Sequence, residues 1–251
     1  MQASFSGALR PAAPKIIEIP HLGGRGALYL LALVQGHQSR QRVTPTPEAT
    51  GALLAVLDAL GVIRAEPCQT PLSNLTVGDN LPWLYTWDPI AFDELQGCLT
   101  AYLTTAGRSK DFSDTWLRVW HELMPAEVIA YLQYQLRIHQ FSDAFLEELA
   151  KLMVPNESRY SLGHWRYACW ASVRSMASVS LQHPGNVELL KFTLATELPR
   201  RLQFAHGSQE GKLCFSPPHS IPMSTLSTIL SDIATRLGDN FWKSPPTLEM
   251  L

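Results

Sequence analysis

The sequence predicts a mainly helical fold, and three observations carry that expectation. Apolar residues recur three and four apart through most of the chain, which is the spacing of one helix face. The segments with that spacing open on Ser, Thr, Asp or Asn, some with proline next, and several close on glycine or proline. No stretch alternates apolar and polar residues long enough to build a large sheet. In finer terms the pattern predicts a small winged-helix-like N-terminal lobe over residues 15–66. A loop or linker over 67–82 follows, then a larger multi-helix bundle over 83–251.

Residues 1–14 are small, polar and proline-containing, and read as a loose arm. Lys15 to Pro20 reads as a short strand, and Ala27 to Val34 as a buried helix stopped by Gly36. Thr46 caps the next helix with Pro47 at its first position. That helix carries Leu53, Leu54, Leu57 and Leu60 and ends at Gly61, before a strand at Val62-Ile63-Arg64. Asp88-Pro89 opens a helix with Phe92, Leu95 and Leu99 inward. Ser113 caps another with Trp116, Leu117, Trp120 and Leu123, and Pro125 starts a separate one with Val128, Ile129, Leu132 and Leu136. Ser142 or Asp143 caps a helix carrying Phe145, Leu146 and Leu149, and an aromatic-rich helix covers Tyr160–Gln182. Asn186 caps a helix with Leu189, Leu190, Leu194 and Leu198, kinked or ended by Pro199. Ser224 opens the last, with Leu226, Ile229, Leu230, Ile233 and Leu237, closed by Gly238.

Composition narrows the function classes. Charged residues are 17% and hydrophobic residues 46%, which excludes disorder by composition in a chain long enough for a sizeable core. The longest apolar run, Ala27 to Val34, is far shorter than the roughly 20 residues that span a bilayer, so no membrane partner is expected. The N-terminus shows no basic segment followed by an apolar one, so no secretory signal is expected. The four cysteines show no pairing pattern and read as reduced residues of a cytoplasmic protein. Net charge is −2, with an acidic excess over residues 51–150 and no strongly basic block, which argues against nonspecific nucleic-acid binding by the whole surface.

Chemistry-bearing patterns are sparse. Gly23-Gly24-Arg25-Gly26 can cradle a phosphate at a helix N-terminus, but Tyr29 stands where the dinucleotide fingerprint needs glycine. A turn entering a buried helix accounts for the same residues. His121-Glu122 lacks the second histidine of a zinc-protease motif, and no Cys-x-x-Cys occurs. His206, Cys214 and His219 share one loop region without metal-ligand spacing, so no metal and no cofactor is assigned. Cys169 and His164 diverge on one helix, and the adjacent acids Glu147-Glu148 and Asp93-Glu94 point apart. No catalytic residue is assigned, and the reading leans away from an enzyme.

Two surfaces remain. In the aromatic helix, Leu162, Trp165, Cys169, Val173, Met176 and Ser180 form one stripe. Arg166, Trp170 and Arg174 form a second, with both guanidiniums able to lie over the Trp170 indole. Arg166, Tyr167, Trp170 and Arg174 are residue types that anchor protein interfaces. The other arrangement buries the tryptophans and pairs the arginines with acids from residues 111–148. The second surface is the N-terminal lobe, where Arg25, Arg40, Arg42 and Arg64 can touch phosphate. The exposed face of the helix after Thr46 carries Glu48 and Asp58 and no cation, which suits base reading poorly.

Pro125-Ala-Glu-Val-Ile-Ala-Tyr-Leu-Gln-Tyr-Gln-Leu-Arg-Ile-His and Tyr160-Ser-Leu-Gly-His-Trp-Arg-Tyr-Ala-Cys-Trp resemble segments of uncharacterised bacterial proteins with a winged-helix-like N-terminus and a helical C-terminal part. The resemblance covers residues 110–240. It implies a bacterial origin and brings no activity with it. The expectation is therefore a non-enzymatic interaction or regulatory protein that docks a macromolecular partner, a protein, through a helical surface. A DNA-binding transcriptional regulator and an enzyme with an unrecognised site are the alternatives. The sequence does not indicate oligomeric state.

Overall fold

The computed structural model describes residues 18–65, 83–87, 92–107, 109–153, 159–208, 213–215 and 221–251. The expected arm at 1–14, the linker at 67–82, the Asp88-Pro89 cap and His219 lie outside the described residues. The described part is mainly helical, with a two-stranded antiparallel sheet.

Helix α1 (Ile19–Ser39) begins where a strand was expected, so Ile19 and Pro20 open a helix. Proline fits there because the first-turn N–H groups have no helical partner in any case. Gly23 takes a left-handed φ of 62° and kinks the helix, a conformation glycine adopts without a Cβ penalty. The helix continues through Gly36, because a Cβ there would strike Val43 and the missing side chain lets that segment pack close.

Helix α2 (Pro47–Ala59) starts as expected, with Thr46 Oγ1 accepting from the Ala49 N–H at 3.3 Å. Gly61 at φ 68° turns the chain into β1 (Ile63–Ala65). That strand pairs antiparallel with β2 (Trp83–Tyr85), Ile63 opposite Tyr85 and Ala65 opposite Trp83.

Helix α3 (Phe92–Ala106) precedes α4 (Ser113–Ile138), which joins two expected helices into one by running through Pro125. Proline removes one hydrogen bond to the carbonyl four residues earlier. Burial of Leu123, Met124, Ala126 and Val128 on both sides of it holds the helix continuous. Ser142 caps a short turn into α5 (Leu146–Met153). Helix α6 (Leu162–Gln182) and α7 (Val187–Gly207) form a closely packed hairpin. Pro199 does not end α7, since Leu198 and Leu202 on either side of it are buried. Ser224 caps α8 (Thr225–Ile229), which widens into a π-helical turn over Leu230–Ala234. A last short helix, α9, spans Asn240–Lys243.

One apolar core runs from Leu22 to Trp242 and takes residues from all nine of these helices. Helix α1 packs on α3 and α8 as well as on α2 and α4, and α4 packs on α6. No helix among the described residues is long and apolar enough to cross a membrane.

Candidate functional site

The aromatic helix divides as its periodicity requires. Leu162, Trp165, Cys169, Val173 and Met176 are fully buried. On the second stripe only one of the two expected cation–π contacts forms. Arg174 Cζ lies 4.9 Å from the Trp170 ring, whereas Arg166 lies over Trp242 at 4.3 Å and Tyr131 at 5.0 Å. Helical side chains lean toward the N-terminus, so Arg174 reaches back to Trp170 while Arg166 points away from it. Arg166 is wholly buried and Tyr167 nearly so, packed against Ala171, Ala205 and Phe215. Of the four expected anchors, Trp170 is half-buried and Arg174 is exposed. A set of four accessible anchors does not exist on this face.

Arg166 instead meets Glu127, an acid from the range expected for such a pair. Its Nη2 sits 3.4 Å from Glu127 Oε2, and neither side chain is exposed. Glu127 Oε1 accepts from the Ser224 N–H at 3.2 Å, Ser224 Oγ at 3.1 Å and Ser227 Oγ at 2.8 Å. Arg42 Nη2 stands 3.9 Å from Oε2 and donates to the Pro222 carbonyl at 2.9 Å. Burial lowers the Arg166 pKa from its ordinary value, and the Glu127 charge opposes that. This network ties the start of α8 to α4 and α6.

The open face lies on the other side of α4. A groove of about 730 Å³ is lined from α1, α2, α4 and α5, with Leu226 of α8. Tyr29, Leu123, Ala126 and Leu226 are its buried floor, and Glu48, Ala52, Glu122, Glu147 and Ala150 its exposed edges. At one end Arg25 Nη2 donates to Glu122 Oε2 at 2.7 Å, Arg25 Nε to Tyr29 Oη at 3.0 Å, and Tyr29 Oη to Glu122 Oε2 at 3.3 Å. Burial pushes the Tyr29 phenol up to about 12, so it stays a neutral donor. Three carboxylates against one guanidinium leave the lining with two net negative charges.

Gly23, Gly24 and Gly26 lie within α1, where Gly23 makes the kink and Gly24 and Gly26 serve packing. A Cβ on Gly24 would strike Phe112 and Trp116, and one on Gly26 would strike Leu60. Of the four arginines suited to phosphate, Arg25 is held by Glu122 and Arg42 by carbonyls and Glu127. Arg40 and Arg64 are exposed.

His164 and His206 meet edge to face at 5.9 Å, while the Cys214 thiol contacts Ser161 Oγ at 3.6 Å and donates to the Trp242 carbonyl at 3.3 Å. Among the described residues no three His, Cys, Asp or Glu side chains gather as a metal site. Cys169 is wholly buried, and that burial pushes its thiol up to about 12.

Sequence reading missed Tyr29, Glu122 and Glu147 as groove residues, because the groove exists only where four helices meet. A local signal was the face of α2, acidic at Glu48 and small at Ala52. Comparison of the chain with protein-family models, curated proteins and solved structures finds no match.

Proposed function

We propose that this chain is a non-enzymatic interaction protein that docks a macromolecular partner through a helical surface, and that the surface is the groove between α1, α2, α4 and α5. One observation carries the reading. The groove pairs a buried apolar floor with an exposed charged rim, the anatomy of a protein interface. Trp170 and Arg174 offer a smaller patch, since Arg166 and Tyr167 are covered. The setting proposed with it is the bacterial cytoplasm, supported by free thiols at Cys98, Cys169 and Cys214. The DNA-binding alternative is weaker, because Arg25 and Arg42 are already engaged within the protein and the groove lining is negative.

A photo-crosslinking residue in place of Ala52, compared with one in place of the exposed Thr196 on α7, tests the reading in the native host. A protein adduct from position 52 and none from 196 is the expected result. Adducts of equal yield from both positions, or from 196 alone, would overturn it.

A further inference from the structure

We infer that the groove receives a cationic amphipathic helix of another protein. This rests on the groove being a docking surface and adds the chemistry of the occupant. The carboxylates come from three elements, Glu48 on α2, Glu122 on α4 and Glu147 on α5, so an occupant meets negative charge on several sides. Arg25, the cation of the lining, is bonded to Glu122 and leaves Glu48 and Glu147 without a paired cation in the lining, although Lys151, bonded to Glu148, lies within electrostatic reach of Glu147.

The floor selects the shape of the occupant. The lining residues of α4 run from Glu122 to Ile129, a rise of about 10 Å. That length matches about two turns of a helix laid alongside, enough to present apolar side chains at i, i+3 or i+4, and i+7. A helix is about 10 Å across, so two turns occupy on the order of 800 Å³, close to the 730 Å³ of the groove. Ala49, Ala52 and Ala150 keep the walls short enough for such approach. Small polar ligands are served less well, because the acids stand at the edges while the buried floor is mainly apolar. Polyanions such as nucleic acid meet repulsion there.

The test uses the full chain and three designed helical peptides with one apolar stripe of leucines and polar faces built from Lys, Gln or Glu. Binding is read by fluorescence anisotropy at about 50 mM and about 300 mM salt, which bracket strong and weak screening. The Lys-faced peptide is expected to bind about tenfold tighter than the Gln-faced one, and the Glu-faced one most weakly. The Lys advantage shrinks in high salt and disappears in the Glu48→Lys, Glu147→Lys double variant. Ala52→Trp, which fills the groove from an exposed position, weakens all three.

Equal affinity of the Lys- and Gln-faced peptides, still lost in Ala52→Trp, would overturn the cationic partner and leave the groove as a docking site. Lys-faced binding indifferent to Ala52→Trp would overturn the groove itself. Absence of binding by all three peptides would overturn the helical occupant. A dimer of the chain alone that Ala52→Trp dissociates would make a second copy the occupant and overturn a foreign partner.

Discussion

Replacing Glu127 with alanine probes a fully buried polar network. The carboxylate is wholly buried, and its removal strips the acceptor from the Ser224 N–H and the Ser224 and Ser227 hydroxyls. It also leaves Arg166 buried without its counter-ion. The Nε and Nη1 atoms of Arg166 already lack hydrogen-bond partners, so the Trp242 and Tyr131 rings are left as the contacts of its charge. Breaking a buried pair from one side costs about 3–5 kcal/mol, a large share of the roughly 5–15 kcal/mol that holds a domain together. Urea unfolding followed by far-ultraviolet circular dichroism measures it. The Glu127→Leu, Arg166→Met double variant removes both charges together. It is expected to cost less than the sum of Glu127→Leu and Arg166→Met made singly, because Glu127→Leu alone strands the buried Arg166 charge. A loss under about 1 kcal/mol for Glu127→Ala, or strict additivity in the double variant, would refute the assignment of Glu127 and Arg166 as a mutually dependent pair.

Three further outcomes are expected. Ser161 Oγ accepts from the His164 N–H at 3.3 Å, and His164 Nδ1 accepts from the Ser161 N–H at 3.4 Å, a capping box with histidine in the acidic position. Burial, then His206, lowers the His164 pKa below its ordinary 6.5, so the stability it contributes is present above pH 6.5 and lost as pH falls through the lower folded value. His164→Glu should remove that acid-side loss in thermal melts between about pH 7 and pH 5, and an unchanged pH profile would contradict the role. Cys98 is exposed and Cys169 buried with its thiol pushed up to about 12, so mass spectrometry after brief alkylation should find Cys98 labelled and Cys169 labelled only in denaturant. Gly107→Ala should cost at least about 1–3 kcal/mol in urea unfolding, because its Cβ would collide with the Ala234 carbonyl in the π-helical turn.

Local chemistry was legible where one short segment decides it. Thr46 before Pro47, Asn186 and Ser224 each cap the helix their sequence announces. The core stripe of α6 followed from spacing for Leu162 through Met176, all buried, while its last member, Ser180, is only half-buried near the helix end. Pro125 misled, and α7 does not take the ending allowed at Pro199, because a proline in isolation argues for a break whereas buried apolar residues on both sides outweigh one lost hydrogen bond. Ile19 and Pro20 read as strand because β-branched residues dominate Lys15–Pro20, yet the first turn of α1 accepts both.

The site was less legible than the fold. Arg166 looked like a surface anchor because it repeats with Trp170 and Arg174, and only the lean of helical side chains sends it into the core. Glu122 carried no signal beyond a failed zinc motif, since its partners Arg25 and Tyr29 lie about a hundred residues away in sequence. Charge segregation gave a second advance notice. The acidic excess of residues 51–150 includes Glu122 and Glu147, and Glu48 lies just before it.

Amide hydrogen exchange of the full chain, with and without the Lys-faced peptide at saturation, tests the docking account most directly. Slowed exchange is expected in the first turns of α2, in α4 around Glu122–Ile129 and in α5, with α6 and α7 unchanged. Protection centred on α6 near Trp170 and Arg174, with the groove helices unaffected, would contradict it and return the docking surface to the aromatic helix.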